Sequence, residues 1–521
     1  MAVKVAFIGA GSVGFTRRLV RDMLSVPELQ DTHFAFHDIS ARNLDMVLKL
    51  CAKDIQANHL PARLARHLDR RAALDGADYV INCSRIGGLE AFQFDIDIPL
   101  KYGVDQCVGD TLCAGGIMYG QRNVPQILAF VQDMKAVSAS DVLFLNYANP
   151  MAMNTWAALD ALAAGKGVQT VGLCHGVEGG WVQIDMALAH LHQDEQIGWH
   201  ERARRVERTQ IVCAGINHQT WYIDVIYKGR HVGSQELLEA FTRHKDLART
   251  EKVRIDMLRR FGCYTTESNG HVSEYVPWYR KRPAEIRRWI DLSTWINGET
   301  GGYLRVCTEG RRWFETDFSK WLTEAGKPIT AQERSSEHGS WIIEARETGR
   351  TYRGHFNVRN GGIITNLAPD CIVEAPGFVD RHGINMVSGL TLPLACAATC
   401  EASIHVQRMA KEAAVHGDAE LLKQALLHDP LAGAVCNPPE IWQMADEMLV
   451  AQARWLPQYV ASGAVAQARR RLVAGPRVKL RRWSGAARLR VRTVGELRRK
   501  KAASVLVADK AAAARARMKA S

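Results

Sequence analysis

Residues 3–15, VKVAFIGAGSVGF, join a short apolar run to a glycine-rich turn. The run has the composition of a buried strand, and it leads directly into GAGSVG. In this spacing Gly9 allows a tight turn, Gly11 allows the backbone to approach a pyrophosphate, and Gly14 is expected to let the following helix pack closely. The amides at the start of that helix, from Ser12 onward, are expected to hold the phosphates. The stretch therefore predicts a dinucleotide-binding unit.

A second apolar run, HFAFHD at 33–38, ends in Asp38, at about the 20-residue separation expected for a ribose-binding acid. A carboxylate at this point accepts hydrogen bonds from ribose hydroxyls and repels a 2′-phosphate, so we expect NAD rather than NADP. The alternative is a strand, a glycine-rich turn and a helix that bind no ligand. The two runs together favour a bound NAD over a turn that binds no ligand.

The composition indicates a globular protein that is long enough for two or three domains. The chain has 521 residues, of which 47% are hydrophobic and 23% charged. No run approaches the ~20 apolar residues that span a bilayer, and the first apolar run lacks the features of a signal peptide. We therefore expect a cytoplasmic protein without a membrane partner. Its 12 cysteines form no CxxC pair, so we expect reduced thiols.

The basic charge is concentrated at the carboxyl end. Residues 469–521 contain 18 Lys/Arg and 2 Asp/Glu, whereas residues 1–468 contain 49 Lys/Arg and 53 Asp/Glu. The basic segment has one aromatic residue, Trp483, and so offers no stacking platform for single-stranded nucleic acid. We expect a solvated extension and no specific nucleic-acid partner; subunit contacts and nonspecific polyanion binding are the alternatives.

Short β-rich runs alternate with longer helical patterns in the first part of the chain. This alternation predicts an α/β fold with a Rossmann-type parallel sheet. Beyond about residue 200 the pattern changes to a strand pair, IVCAGINHQTWYIDVIYKG, followed by mixed helices and aromatic-rich loops. We therefore expect a second α+β domain, with boundaries at 1–195, 196–465 and 466–521. The runs assigned to the sheet are VKVAFIG, HFAFHD, YVINCS, VLFLNYAN and VQTVGLCH.

Polar residues follow these predicted strands at their carboxyl ends, where open α/β sheets bind ligands. Asn149 follows one strand, and Cys174 and His175 follow the next. Cys174 and the later His218 are candidate ligands of a divalent first-row metal. From spacing alone, a buried histidine and an inert cysteine are the alternative.

The ordered motifs of the chain resemble those of glycoside hydrolase family 4, in particular its α-galactosidase and α-glucosidase branch. The resemblance runs from residue 1 to about 460, and it implies a lactate/malate dehydrogenase-like Rossmann fold, a bound NAD and a divalent metal, usually Mn²⁺. The motifs are FIGAGSVGFTRRL, SRIGGLEAFQFDIDIPLKYGVDQCVGDT, NYANPMAMNTWA, GLCHGV, AGINHQTW and ESNGHVSEYVPWYRKRP.

The resemblance also implies roles for individual residues. Cys174 and His218 match the metal ligands, and Asn149 matches a residue that binds sugar hydroxyls. Tyr275 most resembles the tyrosine base that removes the proton from C2 of the sugar. His175 stands where relatives often carry an acidic or amide residue, and it is the candidate acid for the leaving group.

The implied activity is hydrolysis of unphosphorylated α-hexosides, with α-galactosides as the first choice of substrate. The implied mechanism is oxidation at C3, proton removal at C2, elimination and addition of water. The family is one of the known exceptions to the two-carboxylate mechanism of glycosidases. α-Glucosidase, α-galacturonidase and a 2-hydroxy acid dehydrogenase remain alternatives. We expect the small-molecule α-glycoside to be bound by a homodimer or homotetramer.

Overall fold

The computed structural model describes residues 2–162, 168–198, 201–480, 483 and 485–501. All five strands predicted for the first part of the chain are present. The strands are β1 (Lys4–Ile8), β2 (His33–His37), β3 (Arg63–His67), β4 (Tyr79–Asn82), β5 (Leu143–Asn146), β6 (Gln169–Gly172), β7 (Thr209–Ile216), β8 (Gln219–Tyr227), β9 (Arg230–His231), β10 (Tyr264–Thr265), β11 (Tyr352–Arg359), β12 (Ile372–Asp380) and β13 (Gly383–Met386).

Helices connect and cover these strands. No helix in the described ranges is long and apolar enough to cross a membrane. The α-helices are α1 (Val13–Leu24), α2 (Ala41–Ala57), α3 (Arg70–Leu74), α4 (Gly88–Lys101), α5 (Cys113–Val137), α6 (Met151–Leu162), α7 (Gly176–Leu191), α8 (Arg202–Arg208), α9 (Ser234–Arg243), α10 (Lys245–Thr250), α11 (Lys252–Phe261), α12 (Asn269–Tyr275), α13 (Pro283–Trp289), α14 (Gly302–Glu324), α15 (His338–Thr348), α16 (Leu394–His416), α17 (Ala419–His428), α18 (Pro430–Val435), α19 (Pro438–Ala451), α20 (Pro457–Ala461) and α21 (Ala464–Ala474).

The first six strands are parallel and lie in the order β6-β5-β4-β1-β2-β3. This is the strand order of a dinucleotide-binding Rossmann sheet, so the predicted fold class is confirmed. The edge strand β3, with the sequence RLARH, was not predicted because its side chains are mostly half-exposed and it has no apolar run.

The later strands extend the same sheet. Antiparallel strands continue it from β6 in the order β11, β12, β7, β8 and β10. The predicted strand pair corresponds to β7 and β8, which are antiparallel neighbours. The sheet thus crosses the predicted boundary after residue 195, and α21 crosses the one after residue 465. The three-part division stays a prediction.

Two narrow seams interrupt the sheet, one where the parallel part meets β11 and one within the antiparallel part. At the first, β11 pairs with β6 only through Asn357 and Gly172; at the second, β12 pairs with β7 only through Glu374 and Gly215. Two side-chain contacts link β11, β12 and β8 beside these seams. Asn357 Nδ2 donates to Glu374 Oε1 at 2.8 Å, and Thr220 Oγ1 contacts Glu374 Oε2. A Cβ on Gly172 would lie 2.2 Å from Met151 Sδ and 2.7 Å from Thr155 Oγ1, so a larger residue would force these side chains to move.

Glu374 is a buried carboxyl beside these seams, and its burial keeps it largely protonated below about pH 7. Burial raises the pKa of Glu374 to about 7, although bonds from Thr220 and Asn357 oppose the rise. Thr220 has a single hydroxyl hydrogen, and the carbonyl of Ile216 lies 2.9 Å from its Oγ1. A protonated Glu374 can donate to Thr220 while Thr220 donates to the carbonyl of Ile216. With Glu374 neutral, both of these contacts can therefore be hydrogen bonds.

The described part of the basic carboxyl-terminal segment packs on the protein rather than extending into solvent. The amide of Ala486 donates to the buried Asp105 Oδ2 at 2.9 Å. Arg492 pairs with Glu309 at 2.6 Å, and Arg498 pairs with Asp317 on the same helix, α14. Residues 502–521 of the predicted extension lie outside the described residues.

Replacing Glu374 by glutamine should raise the stability of the metal-free protein at pH 8 but not at pH 5. The folded carboxyl keeps its proton up to about pH 7, whereas an unfolded glutamate, at 4.5, has already lost it. Wild-type stability therefore falls as pH rises from 4.5 to 7, by up to roughly 3 kcal/mol, and stays low above 7. Glutamine donates to Thr220 without titrating. Thermal unfolding across this pH range measures the difference in stability between the two proteins. A difference that does not change with pH would contradict the raised pKa of Glu374.

Candidate active site

The carboxyl ends of the parallel strands bring the predicted site residues to one edge of the sheet. The glycine-rich turn follows β1, and Asp38 follows β2. Asn149 follows β5, and Cys174 follows β6. This is the edge at which open α/β sheets bind their ligands.

The glycine-rich turn is held against the end of β2. The amides of Gly9 and Ala10 both donate to the carbonyl of His37 at 3.0 Å, and the amide of Gly11 donates to Asp38 Oδ2 at 2.8 Å. Gly9 has φ +85°, which favours glycine, and a Cβ on Gly11 would lie 2.6 Å from that carboxylate oxygen. Ser12 is exposed at the start of α1. These contacts form the cradle that a pyrophosphate and a ribose require.

Gly14 does not have the packing role expected of it. A Cβ at Gly14 would meet no atom within 4 Å, so close helix packing is the wrong reason for a glycine here. The residue instead borders a cavity of about 470 Å³ beside α1, which Val13, Arg17 and Arg18 also line. The first turn of α1 is therefore open on this side.

Cys174, His218 and Glu267 form a cluster whose ligand atoms all lie within 4.8 Å of one another. His218 Nε2 is 3.2 Å from Cys174 Sγ and 3.4 Å from Glu267 Oε1, and the same carboxylate oxygen is 3.4 Å from the sulfur. One thiol, one imidazole and one carboxylate fit a divalent first-row ion. Glu267 adds a third protein donor to the two predicted from sequence.

The local backbone places these three side chains. Cys174 follows β6, and its sulfur accepts the Gly176 amide, at the start of α7, at 3.3 Å. His218 lies in the tight turn between β7 and β8 with φ 64°, and Glu267 lies just before α12 with φ 68°. A left-handed conformation at a residue other than glycine costs on the order of 1–3 kcal/mol and is concentrated at functional sites.

The electrostatics of the cluster favour a cation. Burial raises the pKa of Glu267, but the imidazoles of His218 and His271 outweigh burial and lower it to about 2. Glu267 is therefore an anion at neutral pH. Burial, together with Glu267, raises the pKa of the Cys174 thiol well above its usual range. A divalent ion would offset both effects and allow the thiolate to form.

Tyr275 lies beside the cluster. Its hydroxyl is 3.4 Å from His218 Nδ1, and the two rings are stacked with centroids 6.3 Å apart. Burial, with Glu274 and Asp110, raises the pKa of Tyr275 well above its usual range. A deprotonated Tyr275 at neutral pH therefore needs added positive charge nearby.

Asn149 lies on the other side of the same network. Its Nδ2 donates to Asp110 Oδ2 at 3.0 Å, and the Arg85 guanidinium lies 3.8 Å from that oxygen. The guanidinium is stacked among three rings, of Phe92, Tyr119 and Tyr303. This side of the site thus holds a paired cation and anion next to an amide.

His175 directly follows Cys174 and is the N-cap residue of α7. Its side chain is 68% exposed, and its Nδ1 is 3.7 Å from Glu337 Oε1. The structure therefore places Tyr275 directly beside His218 and connects Asn149 to His218 through Asp110 and Thr111, while His175 lies at the solvent-facing rim.

Sequence reasoning missed Glu267 and the connection between Asp110 and His218. Glu267 stands before the N-cap serine of α12, at no spacing from Cys174 or His218 that is typical of a metal site. The contact depends on folding that joins residues 93 positions apart. Glu267 is the first residue of the motif ESNGHVSEYVPWYRKRP, but its spacing within that stretch does not mark it as a ligand.

Two family models match the chain. The model described as family 4 glycosyl hydrolase matches residues 4–190, and the model described as the family 4 glycosyl hydrolase C-terminal domain matches residues 213–432. Together they cover most of the chain.

Named relatives match along nearly the whole length. The chain is 58% identical to an alpha-galactosidase of Rhizobium meliloti strain 1021, over 96% of this chain and 98% of the relative. It is 33% identical to an alpha-galactosidase of Bacillus subtilis strain 168, over 88% of this chain and 99% of the relative.

Solved structures share the fold. A 6-phospho-beta-glucosidase of Thermotoga maritima, determined with manganese, NAD⁺ and glucose-6-phosphate, aligns with a TM-score of 0.69 at 22% identity, over 87% of this chain and 99% of that one. A 6-phospho-alpha-glucosidase from gut microorganisms, in complex with NAD and glucose-6-phosphate, aligns with a TM-score of 0.67 at 22% identity, over 88% and 99% of the two chains.

Replacing Glu267 by glutamine should weaken binding of Mn²⁺ by at least about 10-fold, since loss of even an outer partner of a metal ligand costs that much. The amide keeps the size of the side chain but removes its charge. Isothermal titration of the chelator-treated protein with Mn²⁺ measures the change. Glu239→Gln, at the surface of α9, is the matched control. Equal affinity in the Glu267 variant and the wild type would show that this carboxylate is not a ligand.

Proposed function

Because this chain belongs to family 4 of the glycosyl hydrolases, we propose that it is an α-galactosidase acting on unphosphorylated α-galactosides with NAD and a divalent metal, Mn²⁺ in the first instance. The observation that carries the substrate is the 58% identity, over 96% of the chain, to a relative named alpha-galactosidase. Relatives named alpha-galacturonidase and alpha-glucosidase match at 27% identity or less.

The residues of the site suit these two groups. Gly9, Gly11, Ser12 and the first turn of α1 would hold the pyrophosphate of NAD, and Asp38 would accept the ribose hydroxyls. Cys174, His218 and Glu267 would hold the metal. When bound, these groups supply a hydride acceptor and a Lewis acid.

The chain's own side chains would carry the remaining steps. Asn149 would bind a sugar hydroxyl, with its amide oriented by Asp110. Tyr275 would remove the proton from C2 of the sugar as a general base. Its raised pKa makes this role dependent on a cation at the cluster, because the phenol must lose its proton first. His175, exposed at the rim, would protonate the departing glycosidic oxygen.

The cysteines bear on the cellular location of the protein. All 12 cysteines are free, including the candidate ligand Cys174, and a thiol ligand needs reducing conditions. This supports a cytoplasmic location. A homodimer or homotetramer remains our proposal for the assembly.

Hydrolysis in D₂O should place deuterium at C2 of the released sugar, require NAD⁺ and accumulate no NADH. Tyr275→Phe should slow this exchange by ~10²–10⁴-fold, as expected for a lost general base. Tyr459→Phe, which removes a buried hydroxyl remote from the cluster, is the control. Mass spectrometry of the product gives the label. Protium at C2, with full activity in NAD-free enzyme, would refute the proposed chemistry, and one NADH per turnover would indicate a dehydrogenase.

An α-galactoside should be hydrolysed with a kcat/KM at least about 10-fold above that of the matching α-glucoside, since the wrong epimer leaves a polar group of the site unpaired. Sugars with a 6-phosphate or a uronate should also be poorer substrates. Arg85 is already paired with Asp110, so it is not a free cation for an added anion. Parallel assays with nitrophenyl glycosides measure the ratios, and a preference for the charged sugars would contradict this substrate class.

A further inference from the structure

A short hydrogen-bonded chain runs from the metal cluster into the protein. His218 Nδ1 lies 2.8 Å from Thr111 Oγ1, and Thr111 Oγ1 lies 3.0 Å from Asp110 Oδ1. All three residues are at least 95% buried. Solvent therefore cannot replace either contact without rearrangement.

The number of protons in this chain fixes the direction of both bonds. The hydroxyl of Thr111 donates its single hydrogen to Asp110 Oδ1. With its only hydrogen used, Thr111 Oγ1 can take part in a second hydrogen bond only as the acceptor. The donor must then be the Nδ1–H of His218. The Nε2 of His218, which faces Cys174 and Glu267, is left with a free lone pair.

A competing partner exists for Nδ1, but its geometry is poorer. The hydroxyl of Tyr275 is 3.4 Å from Nδ1, compared with 2.8 Å for Thr111. A separation of 3.4 Å is at the outer limit of a hydrogen bond. Thr111 is therefore the partner that determines which ring nitrogen of His218 carries the hydrogen.

The loop that carries Thr111 is fixed independently of the cluster. The carboxylate of Glu274 accepts hydrogen bonds from the amides of Cys107, Val108 and Gly109, at 2.5, 3.0 and 2.8 Å. Thr111 follows two residues later, so its hydroxyl is held in place before any ion binds.

We propose that Thr111 is a positioning residue that orients His218 and fixes its tautomer for metal binding through Nε2, with Asp110 as the acceptor that polarises the threonine hydroxyl. Metal-ligating histidines commonly donate their second ring N–H to such a partner. The inference rests on the proposed metal at Cys174, His218 and Glu267, and it assigns Thr111 and Asp110 a role that no local motif indicates.

The same carboxylate reaches the sugar side of the site. Asp110 Oδ1 accepts from Thr111, while Asp110 Oδ2 accepts from Asn149 Nδ2 at 3.0 Å. One buried carboxylate thus orients a metal ligand and a sugar-binding amide together. Displacing Asp110 would disturb both, and for this reason the test is made at Thr111.

Thr111→Val keeps the shape of the side chain and removes only the hydroxyl. The variant should bind Co²⁺ about 10–100-fold more weakly than wild type, the range seen when a partner of a ligating histidine is lost. The thiolate-to-cobalt absorption gives the affinity and reports on the Cys174 ligand. NAD binding, followed by protein fluorescence, should not change. Saturating Mn²⁺ should restore the part of kcat that weaker metal binding removes, whereas any part lost through the hydrogen bond between Thr111 and Tyr275 should remain lost.

Two further variants separate positioning from folding. Thr111→Ser retains the hydroxyl and should regain most of the affinity. Thr32→Val removes a buried hydroxyl that bonds the carbonyl of Leu29, remote from the site, and should bind Co²⁺ as wild type does.

The outcomes distinguish this inference from the proposed function. Tight binding of Co²⁺ by wild type and Thr111→Val alike would overturn the role of Thr111 and leave the metal site intact. Absence of binding by wild type would overturn the metal site itself. Weak binding by Thr111→Ser, as weak as by the valine variant, would show that packing rather than the hydroxyl is responsible.

Discussion

The hydrogen-bonded chain of Asn357, Glu374 and Thr220 links strands β11, β12 and β8 in the region where the sheet has the fewest backbone pairs. Each seam has a single backbone bridge, and the contact of Thr220 with Glu374 adds a side-chain link beside the second. The chain begins opposite Gly172, two residues before Cys174, and ends at Thr220, two residues after His218. It therefore fixes the distance between the strand ends that carry these two candidate ligands.

The third member of the cluster reaches it from another direction. Glu267 follows β10, which pairs with β8 at the far edge of the sheet. Because β8 also begins directly after His218, the register between β8 and β10 sets the position of Glu267 relative to the imidazole. The cluster thus depends on pairings at three places along one continuous sheet. A break at either seam would separate its members without unfolding the glycine-rich turn.

Sequence predicted the parts of the structure that are encoded locally. Five of the six parallel strands follow from apolar runs, and the contact between Gly11 and Asp38 follows from a spacing that the fold repeats in many proteins. The continuation of the sheet through β11 and β12 could not be read in this way, since it pairs residues such as Gly172 and Asn357 that are distant along the chain. Glu267 as a ligand and the contact of Thr111 with His218 were missed for the same reason, whereas the expected packing role of Gly14 was wrong because helix α1 is open there.

The protonation of Glu374 explains how a polar seam can lie so close to an anionic cluster. Glu267 is ionised, and its charge contributes to the raised pKa of Glu374. A second ionised carboxylate in the same buried region would repel the first and oppose the Cys174 thiolate. Below about pH 7 Glu374 is mostly a neutral acid, which can donate to Thr220 and accept from Asn357 without adding charge to this region. The negative charge that remains is concentrated on the residues positioned to bind a cation.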